Sequence, residues 1–96
     1  MPRPRLCRRI SFNPDVTFFK PAGVRLSELE EVNLTLDELE ALRLKDFKQL
    51  SQLDCAKKMS VSQPTFHRLL LDARRKVSEA LIEGKAIKVE GGNYKF

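Results

Sequence analysis

The sequence predicts a mainly α fold: three helices around one core, the last two arranged as a helix-turn-helix, with short extended or β-prone N- and C-terminal segments. Three observations carry this. Residues 51–83, SQLDCAKKMSVSQPTFHRLLLDARRKVSEALIE, divide into a short helix, a tight turn and a longer helix. Thr35 and Glu38 make a T-x-x-E capping box at the head of a leucine-rich run. Outside these stretches, prolines, glycines and short β-prone runs interrupt any helix. The expected organisation is a basic extended arm over 1–25, a helix-turn-helix domain over 26–84 and a β-prone tail over 85–96. Together they form one globular unit, since 96 residues support one modest core and not two.

Taken in order, Met1 to Arg9 (MPRPRLCRR) holds two prolines and four arginines and reads as an extended basic arm. Arg9 to Phe12 and Val16 to Lys20 are β-prone runs broken by the turn signal Asn13-Pro14-Asp15, and Pro21-Ala22-Gly23 ends the section. These runs either pair into a small sheet with Ala86 to Val89 or pack as extended chain. Leu26 to Val32 reads as a short helical turn. From Thr35 a helix carries Leu36, Leu39, Leu42 and Phe47 on its apolar side, with Arg43 and Lys45 toward its negative end. Ser51 caps the next helix, with Asp54 near its positive end and Ala56 and Met59 facing inward.

Ser60-Val61-Ser62 is the turn. Ser62 is a good N-cap, and Pro64 is tolerated in a first turn, where backbone N–H groups lack intrahelical partners. Phe66, Leu70, Ala73, Val77 and Leu81 recur at helical spacing as one apolar face, and Gly84 is the natural stop. Leu71 and Ile82 lie on the outward side, where they suit either a homodimer contact or the N-terminal section folded over them.

Charge is distributed unevenly. Eighteen Lys plus Arg against 13 Asp plus Glu give +5. The first 25 residues and the stretch from Lys48 onward each carry +5, while Leu26 to Phe47 carries −5. An anionic partner would therefore be met by the two ends. No apolar run approaches the ~20 residues needed to cross a membrane, and no signal-peptide core follows Met1, which points to the cytoplasm. Cys7 and Cys55 then read as free thiols, Cys55 as a small buried hydrophobe and Cys7, beside arginines, as the candidate reactive one. Two cysteines and one histidine without a Cys-x-x-Cys pair fall short of a structural zinc set, so no metal or cofactor is expected. Nothing supplies an enzyme's machinery either: a second histidine, a phosphate-cradling glycine loop and a close carboxylate pair are all missing.

What remains is recognition. In a helix-turn-helix the second helix enters the DNA major groove. On its first two turns Gln63, Thr65, His67 and Arg68 are the candidates for base edges. Arg binds guanine in a bidentate way, Gln does so with adenine, and the Thr methyl can touch thymine. Each also has an ordinary reading as an exposed helix residue, and Thr65 as a helix-start hydroxyl. Lys57, Lys58, Arg74, Arg75 and Lys76 suit phosphates or else a solvated face. Arg3, Arg5, Arg8 and Arg9 enter a minor groove, form a disordered tail, or fold back on the acidic helix around Glu30, Glu31, Asp37 and Glu38.

Residues 34–81 also resemble the promoter-reading region 4 of bacterial sigma factors. The matching elements are Glu38 to Arg43, Ala56, Val61-Ser62 and Ala73-Arg74-Arg75-Lys76. Ser60 departs from that pattern, which places glycine at a left-handed turn; a serine there costs about 1 kcal/mol. The whole chain resembles uncharacterised protein family 0251, small prokaryotic proteins described as DNA-binding. The matching residues are Pro2 to Arg5, Cys7-Arg8-Arg9, Phe19 to Gly23, Leu39 to Asp46, Pro64 to Arg68 and Gly84 to Ile87. The resemblance implies duplex DNA binding in transcriptional control and names no target. The alternative is a protein-interaction module that docks RNA polymerase or another regulator through its helix-turn-helix.

Overall fold

The computed structural model describes residues 7–96. Among these, five short strands surround three α-helices: β1 Arg8–Arg9, β2 Phe18–Phe19, β3 Glu31–Leu34, α1 Leu36–Leu42, α2 Gln52–Met59, α3 Gln63–Glu83, β4 Ala86–Val89 and β5 Tyr94–Lys95. A 3-10 turn precedes β3 at Leu26–Glu28, and a π-helical turn extends α1 over Arg43–Phe47. None of the helices among the described residues is long and apolar enough to cross a membrane.

Each helix starts where its cap lies. Thr35 accepts from the Glu38 N–H while the Glu38 carboxylate takes the Thr35 N–H at 2.9 Å, the reciprocal capping box. Ser51 accepts from Asp54 N–H and Ser62 from Thr65 N–H. α2 ends at Ser60, which holds φ 58° and ψ 43°. There the N–H of Val61 bonds back to the Ala56 carbonyl at 3.0 Å, so the left-handed turn closes on a serine without reshaping itself. Gly84 ends α3 at φ 66°.

Two apolar clusters share the interior. Ile10, Ala41, Leu44, Cys55, Ala56, Met59, Phe66 and Leu70 pack where the three helices meet. Leu34, Ala73 and Val89 form the second, between α3 and the sheet. Along α3 the buried stripe is Phe66, Leu70, Ala73 and Ala80, with Leu81 75% exposed. Leu81 was expected on the apolar face. Leu69, Lys76 and Val77 are the half-buried flank, so the stripe's centre lies on the Ala80 side and Leu81, one residue on, is carried past it. Phe47 departs in the same way: it is 77% exposed, because the wider π-turn carries it off the line of Ala41 and Leu44.

Strand pairing stitches the two ends to the helices. β4 lies centrally, antiparallel to β2 (Phe18 opposite Lys88) and parallel to β3 (Val32 opposite Ile87), while β1 runs parallel to β5. From Arg8 onward the segment 1–25 is thus part of the fold, and Ile10 is in the core. β3 replaces the later part of the helical turn expected over Leu26 to Val32. Val32 and Leu34 are buried while Glu31 and Asn33 are exposed, the period-two alternation of a strand with one packed face.

Candidate nucleic-acid interface

The charged residues fall into two populations, those spent inside the fold and those left on its surface. The first centres on α1, where Asp37, Glu38 and Glu40 are all buried. Asp37 accepts from the Thr35 hydroxyl at 2.5 Å and pairs with Arg8 at 3.4 Å. Glu38 takes Lys76 of α3 at 2.8 Å. Glu40 accepts the Ser11 backbone N–H at 2.6 Å and holds Arg43 through two bonds of 2.5 and 3.1 Å. Asp37 and Glu40 thereby tie down the N-terminal section and Glu38 ties down α3, and the pairing of each carboxylate offsets the cost of its burial. The Glu40 hydrogen bonds also hold the Arg43 guanidinium further toward its charged form. The loop Gly91-Gly92 lies over the same helix start: Gly91 C=O accepts from Leu36 N–H at 2.9 Å. A Cβ on Gly92, at φ +106°, would sit 2.5 Å from Asp37 Oδ1.

The second population lies on α2 and the start of α3. Gln63, Pro64, His67 and Arg68 are exposed and Thr65 is half-buried, all in the first two turns of α3. Arg68 reaches only the Thr65 hydroxyl at 3.4 Å and has no carboxylate partner among the described residues; nor have Lys57 and Lys58. Further along α3 every cation is paired. Arg74 makes two bonds to Asp46, of 2.6 and 3.1 Å, Lys76 is held by Glu38, and Arg75 lies 3.9 Å from Glu79. The Arg74 bonds hold the Asp46 carboxyl below its ordinary value.

These contacts separate the residues expected to bind. Gln63, His67 and Arg68 are exposed together on the first two turns of α3, and Lys57 is exposed near the end of α2. Thr65 belongs to the cap, donating its N–H to Ser62 and accepting from the Ser62 hydroxyl at 2.9 Å. His67 Nδ1 lies 3.4 Å from Gln52 Nε2, linking α3 to α2. Arg75 is exposed but lies two turns away from the reading positions and beside Glu79. Arg8 is engaged with Asp37, the fold-back arrangement of the arm, yet it also lines a recess with Ser60, Ser62 and Thr65. Arg9 is exposed on β1, which packs beside α2, and Arg3 and Arg5 lie outside the described residues. Cys7 is exposed, and Cys55 is buried with its thiol pushed up by burial.

The sequence offers Asp37 and Glu38 as a seat for the N-terminal arginines and Glu38 as the capping-box partner, but shows neither the burial of these acids nor the role of Glu40. The local signals for them are the Thr35–Glu38 box and the Glu40–Arg43 spacing; the burial of Asp37 and Glu40 depends on Arg8 and Ser11 arriving from far along the chain.

A family model described as "Protein of unknown function DUF134" matches residues 1–96. The chain belongs to the DUF134 family. Its relatives include UPF0251 proteins of Moorella thermoacetica (63% identical, 98% of this chain and 63% of the relative), Desulforudis audaxviator (56%, 100% and 63%) and Thermoanaerobacter pseudethanolicus (58%, 99% and 80%). This DUF134 chain thus spans less than two thirds of the length of the first two. No solved structure matches it.

Proposed function

We propose that this DUF134 chain is a sequence-specific duplex DNA-binding module of a transcriptional regulator. In this reading α2 and α3 act as a helix-turn-helix of the sigma region 4 kind, with the first two turns of α3 in the major groove. The observation that carries it is the uncommitted state of Arg68 beside exposed Gln63 and His67, on the helix that follows the left-handed turn at Ser60. A cation with no carboxylate partner can meet an anion without first breaking a bond, whereas Arg74 and Lys76 cannot. Arg68 is assigned to a guanine edge, Gln63 to adenine, and the Thr65 methyl to thymine. Lys57, at the end of α2, and Arg9 on β1 are assigned to phosphates.

The test is selection of bound duplexes from a random pool, followed by mobility shifts across salt concentrations. A footprint of about five phosphates gives a log–log salt slope near −4 to −5. Arg68→Ala should weaken the selected site strongly and relax the base preference at one position, while Lys57→Ala should weaken all duplexes alike. Absence of binding to both duplex and single strands at low salt would leave the alternative, docking on polymerase or another regulator through the same helices.

A further inference from the structure

The π-turn builds a surface that the DNA reading does not use. Phe12, Leu39, Leu42, Arg43, Asp46 and Phe47 line an open groove of about 640 Å³. Phe47 on its rim is 77% exposed and Phe12 42%, the latter under the Arg43 guanidinium at 5.6 Å. Two unusual backbone features hold Phe47 outward: the π-turn itself, where Lys48 N–H bonds the Arg43 carbonyl at 2.8 Å, and Gln49 at φ 59°. Irregularities of this kind cost free energy and concentrate where a surface is used. Continuous with the groove through Arg43 is a second recess, lined by Ser11, Arg43, Leu44, Lys48, Leu50 and Lys58. It contains three cations and no acid; Glu40, the one carboxylate holding Arg43, is buried beneath.

We infer that this groove docks an acidic amphipathic helix of another protein, with its apolar side chains between Phe12 and Phe47 and a carboxylate in the Lys48–Lys58 recess. Charge complementarity fixes the choice. A second copy on a two-fold axis would bring the basic recess toward its own counterpart, like charge against like. DNA could satisfy the recess but would leave the Phe12–Leu42–Phe47 groove against phosphates. A small ligand would stay largely exposed in so open a groove, whereas small-molecule sites bury most of their occupant. Apolar anchors at helical spacing with flanking acids satisfy both halves at once.

The experiment is selection of a random peptide phage library on the full chain, counter-selected on Phe47→Ala, then mapping of the enriched peptide by NMR. Enriched peptides should carry Leu, Ile, Phe or Met at i, i+3 or i+4 flanked by Asp or Glu. They should shift the amides of Leu39, Leu42, Phe47 and Lys48, and lose at least about tenfold in affinity to Phe47→Ala and to Lys48→Glu. Phe47→Ala should melt like the parent and shift DNA like the parent. No enrichment, enrichment of basic peptides, or binding indifferent to Phe47→Ala would overturn the inference. So would a dimer by sedimentation that Phe47→Ala abolishes, or a DNA shift that it weakens.

Discussion

The first turns of α1 and of α3 are chemically alike, each opened by a hydroxyl cap and rich in charged or polar side chains, and they do opposite things. At α1 the charges are buried and each has a named partner: Asp37 with Arg8, Glu38 with Lys76, Glu40 with Arg43 and Ser11. At α3 the polar side chains Gln63, His67 and Arg68 are exposed, and Arg68 has no carboxylate partner among the described residues. A charged residue is thus assigned by what it already holds and not by its type. The acids of α1 are spent on joining α1, α3 and the N-terminal section; Arg68, at the start of α3, remains free to join something else.

The strongest way to break this contrast is at Glu40. Glu40→Ala leaves the Ser11 N–H and Arg43 without their acceptor, and should lower unfolding free energy by about 2–4 kcal/mol, read by chemical denaturation. Arg43 can turn partly to water, which places the cost toward the lower end. Next comes a matched pair on the two populations. Arg68→Ala should cost about 1–3 kcal/mol in binding to the selected duplex and leave the melting temperature unchanged. Lys76→Ala should do the reverse, losing about 1 kcal/mol of stability and leaving DNA affinity alone. If both variants move both quantities, the separation fails.

Smaller effects sharpen it. Ser60→Gly should stabilise the protein by about 0.5–1 kcal/mol, because the turn already holds the left-handed conformation that glycine adopts without strain. Asp46→Asn removes an ion pair whose two members are both largely exposed, so solvent screening keeps the loss under about 0.5 kcal/mol. Its sign with pH is fixed. The folded carboxyl lies below its ordinary 3.8, so the contribution is fully present above that value and fades as pH falls below it. Denaturation of wild type and Asp46→Asn should therefore converge in acid.

What could be read from the chain alone was whatever is decided locally. The Thr35–Glu38 box, the Ser51 and Ser62 caps and the Gly84 stop are set by neighbours a few residues away, and the structure has each in place; Ala86–Val89 was legible only as a β-prone run, since its pairing is with distant strands. β3 was hidden because Glu31 and Asn33 flank only two apolar positions, too few to distinguish alternation from a helical turn. β1 and β5 are two residues each and exist through one another, so neither has a signal of its own. The exposed set on α3 was legible from helical spacing, but its division into engaged and free cations was not. That division rests on Asp46 and Glu38, which reach Arg74 and Lys76 only after α1 and α3 have packed.

The central position of β4 also has a consequence for how the molecule assembles. β4 follows α3 directly, yet both of its neighbours lie in the first half of the chain: Glu31 lies beside Ala86 and Phe18 beside Lys88. The helices can meet through short loops, while the sheet closes only when distant segments are brought together, and such long-range pairing is slow. Pulsed hydrogen exchange during refolding should find the α2 and α3 amides protected before that of Val89, whose N–H bonds the distant Thr17 carbonyl at 2.8 Å.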